Sequence, residues 1–529
     1  GDNAEINGGI RIMKTKTLLD PTSWEKVYDL DELGLDLTGQ RVSVLTNASL
    51  EGPELFQLNK KDWTDPEKPE YVLMADQYKA GAGYLPITTT DIEDTTGSSW
   101  KLLSSGSDYS FDLLKKRHGT VLRLTQAELD RVNAAFPNTE EYLIQKELQK
   151  ALNTITIPNS FSIRGNITLP EEVNGIEITW KSSNADVVTD TDTDGKAAGV
   201  VTRGTKDQWV TLTATVTKED VTATKTIKVN VLKAPAAITE DDYAGYLFGH
   251  FISESNADGE QIYFATSSDR LNFTDMNCGQ PVLRSTVGEE GVRDPYLYRS
   301  PEGDRYFLIA TDLSIYHRGG WKKNEQGYYD PSTTGSHYLV LWESTDLVNW
   351  SNQRMVEISA SIDAGCTWAP EATYDAKTGE YIVYWSSKVG TDGYSKQRLY
   401  YAKTRDFYSF TEPEVYIDYD QSTIDTTMIE HNGTYYRYSK NEGGTDNQFG
   451  AHSKTVYIEK SDGVLGEFTH IASASLNSNG GVEGPAIFKL NKDDAAADTW
   501  CLLVDNYGQG GYYPLLTTDL ESGVFTRPE

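Results

Sequence analysis

A turn motif of the form Ser/Thr-x-Asp-x(3–5)-Phe/Trp recurs through the second half of this 529-residue chain. Each copy follows a short run of β-branched and aromatic residues, which is typical of a strand that ends in a turn. Three copies are clear, "SSDRLNF", "STDLVNW" and "TRDFYSF", and two are weaker, "EKSDGVLGEF" and "TTDLESGVF". Their aspartates, spaced by 77, 60, 56 and 57 residues, are Asp269, Asp346, Asp406, Asp462 and Asp519.

A period near 60 residues predicts one small sheet per copy, arranged radially around an axis. The sequence therefore predicts an all-β fold class with a five-bladed β-propeller of four-stranded blades over residues 243–529. A β-sandwich or an irregular β domain with chance similarity is the alternative. The abundance of tyrosine (32 residues) and glycine (44 residues) also favours short strands and turns.

A candidate first strand precedes each copy of the motif. These runs are "YLFGHF" (246–251), "RDPYLYR" (293–299), "WAPEATYD" (368–375), "IDTTMIEH" (424–431) and "EGPAIFKL" (483–490). In a propeller the first strand of each blade lines the central channel, so side chains near its start face one common point. That hub would receive His250, Asp294, Glu371, Asp425 and Glu483.

Residues 137–234 have a different character. Runs such as "GIEITWKSS", "WVTLTATVT" and "ATKTIKVNVL" alternate apolar and polar residues, as half-buried antiparallel strands do. This pattern predicts a small Ig-like β-sandwich. We expect a helix at 139–152 to lead into it and a linker at 232–242 to follow it.

The N-terminal segment, residues 1–136, repeats the end of the propeller. "LEGPELFQLNK" (50–60) matches "VEGPAIFKLNK" (482–492) at seven of eleven positions, and "GYLPITTTDIE" (83–93) matches "GYYPLLTTDLE" (511–521) equally well. The segment is therefore predicted to be a partial propeller, with the last strand of a fourth blade and a whole fifth blade. Glu51 takes the place of Glu483 there, but counterparts of Asp294 and Glu371 are missing, so we expect the segment to be inert.

Composition excludes several classes of partner. The net charge is −31, so the chain lacks the basic footprint of a nucleic-acid-binding protein and would be repelled by anionic membranes. No run of 18 apolar residues occurs, so no membrane insertion is expected. The three cysteines fit no zinc spacing. Free thiols are expected for them, and one disulfide is the alternative.

Convergence of acids from different blades suits hydrolysis of a glycosidic bond. That reaction uses one carboxyl group as a proton donor to the leaving oxygen and a second to activate water or to attack directly. A third carboxylate nearby keeps the donor protonated by like-charge repulsion.

The runs "GVRDPYLYR", "STDLVNW", "WAPEATYD" and "VEGPAIFKL" resemble, in order, motifs of glycoside hydrolase family 43. That family contains five-bladed propellers that are α-L-arabinofuranosidases, β-xylosidases, arabinanases and related enzymes. The resemblance implies an inverting hydrolase of arabinosyl or xylosyl linkages, with an oligo- or polysaccharide of plant origin as its partner. It also implies an extracellular or cell-surface location in a bacterium.

The same resemblance implies roles for three acids. Asp294 would be the general base, Glu371 would modulate the pKa of the acid, and Glu483 would be the general acid. The sequence departs from the family at Glu371, where an aspartate is usual, and a structural hydrogen-bond acceptor is the alternative there. Asp294 could instead hold a turn, and the recurrence of Glu483 as Glu51 also fits a structural role.

Five further residues are predicted to contact substrate: His250, Arg293, Trp368, Asp425 and Arg437. Tryptophan stacks on sugar faces and arginine binds hydroxyls, whereas core packing, ion pairing and other structural roles are the alternatives. No cofactor is required and no metal ligands are assigned, although the resemblance allows a structural calcium ion at the hub. A non-catalytic carbohydrate-binding propeller, or a glycosidase on another neutral glycan such as galactan, is the rival function.

Overall fold

The computed structural model describes residues 2–3, 9–29, 50–77, 83–105, 107–112, 114–321, 330–495 and 497–528. The chain forms two compact units, one of residues 1–154 with 217–223 and one of residues 155–216 with 224–529. Strands dominate both, which confirms the predicted all-β class. Parts of the predicted N-terminal segment lie outside the described residues, at 4–8, 30–49 and 78–82.

The first unit contains two small antiparallel sheets. One is ordered β1 (Asp2–Asn3), β2 (Gly9–Lys14), β3 (Glu25–Asp29). The other is ordered β4 (Leu50–Gln57), β5 (Tyr71–Gln77), β6 (Gly83–Thr89), β7 (Lys101–Leu102). Both contribute to one apolar core, formed by Ile10, Val27, Tyr28, Leu50, Leu73, Ala75, Leu85, Ile87 and Trp100.

Two helices follow, α1 (Gln126–Ala135) and α2 (Glu140–Thr154), and the second confirms the helix predicted at 139–152. α1 begins with a capping box, in which Thr125 and Glu128 each accept a hydrogen bond from the other's backbone amide. α2 buries one stripe of apolar side chains, Ile144, Leu148, Ala151 and Leu152. Within the described residues, no helix has the length and apolar character needed to cross a membrane.

The Ig-like module contains one four-stranded sheet. Its strands are β8 (Glu172–Val173), β9 (Ile176–Ser182), β10 (Gln208–Lys218) and β11 (Val221–Val231), in the spatial order β11-β10-β9-β8. Alternate residues of β10 are buried, as the period-two pattern predicts. Beyond this sheet, described residues of the module pair through isolated bridges such as Ile163–Val231 and Val188–Val201. The second layer of the predicted sandwich is therefore reduced.

Five antiparallel sheets form the propeller. The first has β12 (Tyr246–His250), β13 (Tyr263–Ser267) and β14 (Thr274–Asp275). The second has β15 (Val292–Arg299), β16 (Tyr306–Asp312), β17 (Tyr338–Ser344) and β18 (Arg354–Glu357). The third has β19 (Trp368–Asp375), β20 (Glu380–Ser387), β21 (Arg398–Thr404) and β22 (Glu414–Ile417). The fourth has β23 (Thr423–His431), β24 (Thr434–Asn441), β25 (Val456–Ser461) and β26 (Thr469–Ile471). The last has β27 (Glu483–Lys489), β28 (Trp500–Asn506) and β29 (Gly511–Thr517). Short helices lie at α3 (Ile315–Arg318), α4 (Pro331–Thr334) and α5 (Ala474–Asn477).

The blades close into a ring. The strands β15, β19, β23 and β27 lie side by side in chain order. The last blade packs on the first, because the Phe488 ring lies 5.6 Å from the Tyr246 ring and the Tyr512 ring lies 5.4 Å from the Phe248 ring. This arrangement confirms the five-bladed propeller.

The recurring motif is a hydrogen-bonded turn, as predicted. In the second blade, the Ser344 hydroxyl accepts from the Asp346 amide at 3.1 Å. Asp346 then accepts from the backbone amides of Val348 and Asn349 at 2.9 and 2.7 Å. These bonds hold the pKa of Asp346 well below its usual range. Because all of these contacts are local, the motif specifies the turn wherever it occurs.

Strand register identifies which strand the motif follows. The residue paired with the motif's Ser or Thr is aromatic in every case, and the pairs are Ser267–Tyr246, Ser344–Tyr306, Thr404–Tyr381, Ser461–Tyr435, Thr517–Trp500 and, in the first unit, Thr89–Tyr71. In the four later blades this aromatic residue begins or nearly begins the second strand. In the first blade this aromatic residue is Tyr246, the first residue of β12, so β12 takes the place of a second strand. The prediction that 246–251 is a first strand lining the hub is therefore wrong.

The three cysteines are free thiols. Cys366 and Cys501 are buried and Cys278 is exposed. Burial raises the pKa of Cys366 to about 11 and that of Cys501 to about 12, so both remain protonated at neutral pH.

Candidate active site

The first strands of four blades carry the same β-bulge. In each, the pairing with the second strand shifts, and one bulge residue has a positive φ. These residues, with φ of 49°, 48°, 49° and 52°, are Asp294, Ala369, Asp425 and Gly484. A bulge bends its strand and redirects its side chains. Asp294 and Asp425 thus occupy equivalent positions at the hub, whereas Glu371 lies two residues beyond its own blade's bulge position.

A second group of hub residues lies on the second strands. Each is paired with a residue of the first strand, and the pairs are Thr311–Arg293, Ser386–Trp368, Lys440–Ile424 and Asp505–Glu483. Directly opposed residues of neighbouring strands project from the same face of a sheet. Lys440 and Asp505 therefore join the hub, although the sequence analysis did not select them.

Asp294 lies half-buried near the start of β15. Its Oδ2 accepts a hydrogen bond from the Thr311 hydroxyl at 2.8 Å. Burial raises the pKa of Asp294 above 3.8, the neighbouring Arg293 opposes this rise, and the charge of Glu483 adds to it. The electrostatic effect of Glu483 places the candidate base and the candidate acid in one site.

Asp425 and Glu483 meet where two blades adjoin. The Gly484 amide donates to Asp425 Oδ2 at 3.1 Å. Lys440, only 2% exposed, donates to Glu483 Oε2 at 2.8 Å and forms an ion pair with Glu442 Oε2 at 2.7 Å. Burial raises the pKa of Asp425 to about 7, Lys440 opposes the rise, and Glu483 and Asp294 reinforce it.

Asp505 is a further acid at the hub, beside Glu483. Burial, with the charge of Glu483, raises the pKa of Asp505 to about 6. Its Oδ1 is buried and has no hydrogen-bond partner among the described residues. The Tyr512 hydroxyl nearby donates to the Gly484 carbonyl at 2.9 Å.

Glu371 has a different environment. Burial raises its pKa well above 4.5, and hydrogen bonds with Thr427 and Tyr384 oppose this only in part. Its Oε2 is buried and has no partner among the described residues. Burial thus disfavours the charged form of Glu371, which is the form that exerts like-charge repulsion on a neighbour.

Aromatic and charged side chains surround Arg293 beside the candidate base. Its guanidinium lies 4.5 Å from the Phe251 ring and 5.0 Å from the Trp321 ring, and it donates to Glu260 at 2.9 Å. Trp321 is 42% exposed, and its ring lies 6.2 Å from that of Trp368. The sequence analysis missed Trp321, because it lies in a loop that belongs to no repeated pattern.

Two predicted substrate contacts are engaged elsewhere. His250 stacks on Tyr263 at 5.8 Å within the first blade. Arg437 is 2% exposed and donates to Glu459 at 2.8 Å, with the Phe468 ring 3.8 Å from its guanidinium. The structure therefore favours the ion-pairing alternative for Arg437.

The first unit repeats the acid pair but places an arginine and a histidine against it. Glu51 and Asp76 are paired across β4 and β5, as Glu483 and Asp505 are across β27 and β28. Arg117 donates to Asp76 at 2.7 Å and to Glu51 at 3.2 Å, and His118 Nε2 lies 2.9 Å from Glu51 Oε1. Among the described residues, Glu51, Asp76 and His118 also form a set with ligand atoms within 4.8 Å of one another.

Arg117 pairs with both of those carboxylates and His118 lies against them, so the set can be described as an ion-pair cluster without a metal ion. In the described part of the propeller, no three His, Cys, Asp or Glu side chains come this close together. Calcium binding at the hub stays a prediction.

The raised pKa of Asp425 predicts how stability depends on pH. Folding raises this pKa from an ordinary 3.8 to about 7, so the folded state holds a proton that the unfolded state has lost. Asp425 therefore destabilises the fold progressively as pH rises from about 4 to about 7. We expect Asp425→Asn to raise the melting temperature at pH 8 but to change it little at pH 4. Thermal denaturation at both pH values measures this, with the exposed Asp275→Asn as control, and an equal shift at both would contradict it.

A five-bladed propeller with several acids at its hub defines a class of carbohydrate-active fold. A family model described as "Probable glycosyl hydrolase domain", related to glycoside hydrolase family 43, matches residues 2–130 and 241–529. The chain belongs to this family, which confirms the resemblance stated above. A model described as "Atrophied bacterial Ig domain" matches residues 146–234, in keeping with the reduced second layer of that module.

Individual proteins of this type show similarity to the chain. An α-L-arabinofuranosidase of Bifidobacterium longum subsp. longum is 34% identical over 459 residues, which cover 76% of this chain and 41% of the relative. The chain thus spans about two fifths of that relative's length. The chain also resembles two solved structures, each with 11% sequence identity and a TM-score of 0.36. One is an α-L-arabinofuranosidase from Lactobacillus brevis, and the match covers 51% of this chain and 87% of that one. The other is an exo-1,5-α-L-arabinanase from a bovine ruminal metagenomic library, and the match covers 54% of this chain and 94% of that one.

Proposed function

We propose that the propeller hydrolyses arabinosyl or xylosyl linkages of plant polysaccharide with inversion of the anomeric centre, outside the cell. The observation that supports this most is the convergence of Asp294, Asp425 and Glu483 from three blades on one hub. The amide of Gly484, the residue after Glu483, donates to Asp425 at 3.1 Å, and the charge of Glu483 raises the pKa of both Asp294 and Asp425, as expected for neighbouring acids.

In the proposed reaction, Asp294 removes a proton from water as the water oxygen attacks the anomeric carbon. The bond from that carbon to the glycosidic oxygen breaks, and the leaving oxygen takes a proton from Glu483. Thr311 holds Oδ2 of the base. Lys440 holds Oε2 of the acid, which makes Oε1 the atom that carries the proton.

We assign the modulator role to Asp425 instead of Glu371. Asp425 sits at a bulge position equivalent to that of Asp294 and contacts the amide that follows Glu483. With a pKa of about 7 it is partly ionised at neutral pH, so its charge opposes ionisation of the acid. Glu371, whose pKa is raised well above its usual range by burial, can in its protonated form act as a hydrogen-bond donor that supports the hub.

The name of the Bifidobacterium relative favours an α-L-arabinofuranoside as the first substrate to test. The half-buried Trp368 and the partly exposed Trp321 supply aromatic faces on which a neutral sugar can stack beside Asp294. The net charge of −31 also suits a neutral glycan better than a polyanion.

The test uses the full chain with p-nitrophenyl α-L-arabinofuranoside, β-D-xyloside and β-D-galactoside, followed by arabino- and xylo-oligosaccharides. We expect turnover of an arabinoside or xyloside, and NMR during the first minutes should show the inverted anomer. Formation of the retained anomer first would rule out the mechanism. Binding of these sugars without turnover would favour the rival, a carbohydrate-binding propeller, which the ion pair between Lys440 and Glu483 also fits.

A further inference from the structure

The first blade of the propeller has no inner strand among the described residues. β12 takes the second-strand position, as its pairing of Tyr246 with Ser267 shows. It pairs with β13 on one edge, and its other edge has no partner strand in the described part of the chain. In the other blades this inner edge carries a first strand. In the part of the chain that the structure describes, the position between β12 and β27, the first strand of the last blade, therefore holds no strand, and we call this position the slot.

The first unit shows what fills the equivalent position. There β4 corresponds to β27, and residues 117–123 run along it. The Thr120 hydroxyl and the Val121 amide donate to Glu54 Oε1 at 2.7 and 2.9 Å, and Arg123 donates to Gln57 Oε1 at 3.2 Å. This segment thus lies beside β4 as the first strand of a following blade would.

The start of this segment contacts the acid pair closely. Besides the contacts of Arg117 and His118 with Glu51 and Asp76, the Gly119 amide donates to the Tyr84 hydroxyl at 2.6 Å. Gly52, with a φ of 52°, makes room for the imidazole, since a Cβ there would lie 2.9 Å from His118 Nδ1. The strand, the bulge glycine and the tyrosine together form a receptor for the sequence Arg-His-Gly.

The propeller has the same receptor without that segment. Glu483, Gly484, Asp505 and Tyr512 correspond to Glu51, Gly52, Asp76 and Tyr84 in strand register. Asp505 Oδ1 has no partner among the described residues, and the Tyr512 hydroxyl donates to the Gly484 carbonyl instead. Tyr512 is 40% exposed, compared with 6% for Tyr84.

We propose that the slot between β12 and β27 binds an extended segment that carries Arg-His-Gly, like residues 117–119. The segment adds to the free edge of β12 as the inner strand of the first blade. Its arginine and histidine then contact Asp505 and Glu483. Addition of a strand to an exposed edge supplies backbone hydrogen bonds, and the acid pair supplies specificity for the arginine and the histidine.

Charge supports this occupant. The stretch 114–124, "LKKRHGTVLRL", contains two lysines and two arginines and no acid, whereas the chain as a whole has a net charge of −31. A basic segment is attracted to a hub that holds Glu483, Asp505, Asp425 and Asp294.

The test titrates a fluorescently labelled peptide of residues 114–124 with the full chain and follows anisotropy. We expect saturable binding that weakens about tenfold or more when Asp505→Asn removes the charge that the arginine meets. The matched control is Asp76→Asn, the same change in the first unit, which should leave the affinity unchanged because that receptor is already filled. Peptides with Arg117→Ala or His118→Ala should bind correspondingly weakly to the unaltered protein.

Three results would overturn the proposal: no saturable binding up to about 1 mM peptide, equal affinity of the Asp505→Asn protein, or equal affinity of a scrambled peptide of the same composition. The peptide variants keep the test decisive if the Asp505→Asn protein fails to fold, since they leave the protein unchanged. Binding of the peptide does not depend on turnover, so the outcome is separate from that of the glycosidase test.

Discussion

Glu483→Gln is expected to lower kcat for arabino-oligosaccharides by about 10²–10⁴-fold. The amide cannot donate the proton that the leaving sugar oxygen needs, while its oxygen still accepts the hydrogen bond from Lys440, so the fold should be preserved. The loss should be much smaller with p-nitrophenyl glycosides, because nitrophenolate leaves without full protonation. Steady-state kinetics of the variant and the unaltered chain on both substrates measures this difference.

The chain contains its own matched control. Glu51→Gln makes the same change at the equivalent bulge of the first unit, where counterparts of Asp294 and Glu371 are missing, and should leave hydrolysis unchanged. Asp294→Asn provides the second comparison, since loss of a base should affect both substrates alike. If Glu483→Gln lost activity equally on both, Glu483 would not be the proton donor.

The number of blades could be predicted because the turn motif depends only on local contacts. A hydroxyl and a carboxylate two residues apart bind the backbone amides just after a strand, as Ser344 and Asp346 do. Such a turn forms in the same way wherever its residues occur, so counting the motif counts the sheets. The order of strands within a blade depends on pairing between distant segments, and no local signal fixes it.

The error at β12 follows from that difference. The run 246–251 stands before a motif copy, as a first strand would, but only one strand separates it from the turn. The aromatic residue paired with the motif's Ser or Thr, Tyr246 in the first blade and Tyr306 in the second, would have distinguished the two cases. That signal is visible in the sequence only once the register is known.

The candidate site was predictable in part. Asp294, Asp425 and Glu483 were selected because they lie near the starts of first strands, and the structure brings all three to the hub. Lys440 and Asp505 were missed because they lie on second strands, opposite hub residues. Asp505 had a signal, since Asp76 stands at the same place in the repeated N-terminal segment.

The relative roles of Glu371 and Asp425 could not be separated by sequence either. Both follow a strand start and both are acids. What differs is the bulge, which places Asp425 at the residue with positive φ and Glu371 two residues later. Bulges arise from pairing irregularities between strands, so motif order alone cannot reveal which acid occupies a bulge position.

Glu459→Leu is expected to lower the free energy of unfolding of the propeller by about 3–5 kcal/mol. Glu459 and Arg437 are both buried, with side chains 1% and 2% exposed, and form an ion pair at 2.8 Å. Removing the carboxylate leaves the guanidinium buried without its counter-charge, and the Tyr419 hydroxyl also loses a partner. Urea denaturation followed by tryptophan fluorescence measures the change.

The double variant Arg437→Met/Glu459→Leu separates structure from substrate binding. Replacing both charges by apolar groups removes the unpaired cation, so most of the lost stability should return. Because Arg437 is committed to Glu459, the double variant should also retain the hydrolytic activity of the unaltered chain. If stability returned but KM rose strongly, Arg437 would instead be a substrate contact. If the double variant were as unstable as Glu459→Leu alone, the loss of stability would not come from the unpaired charge.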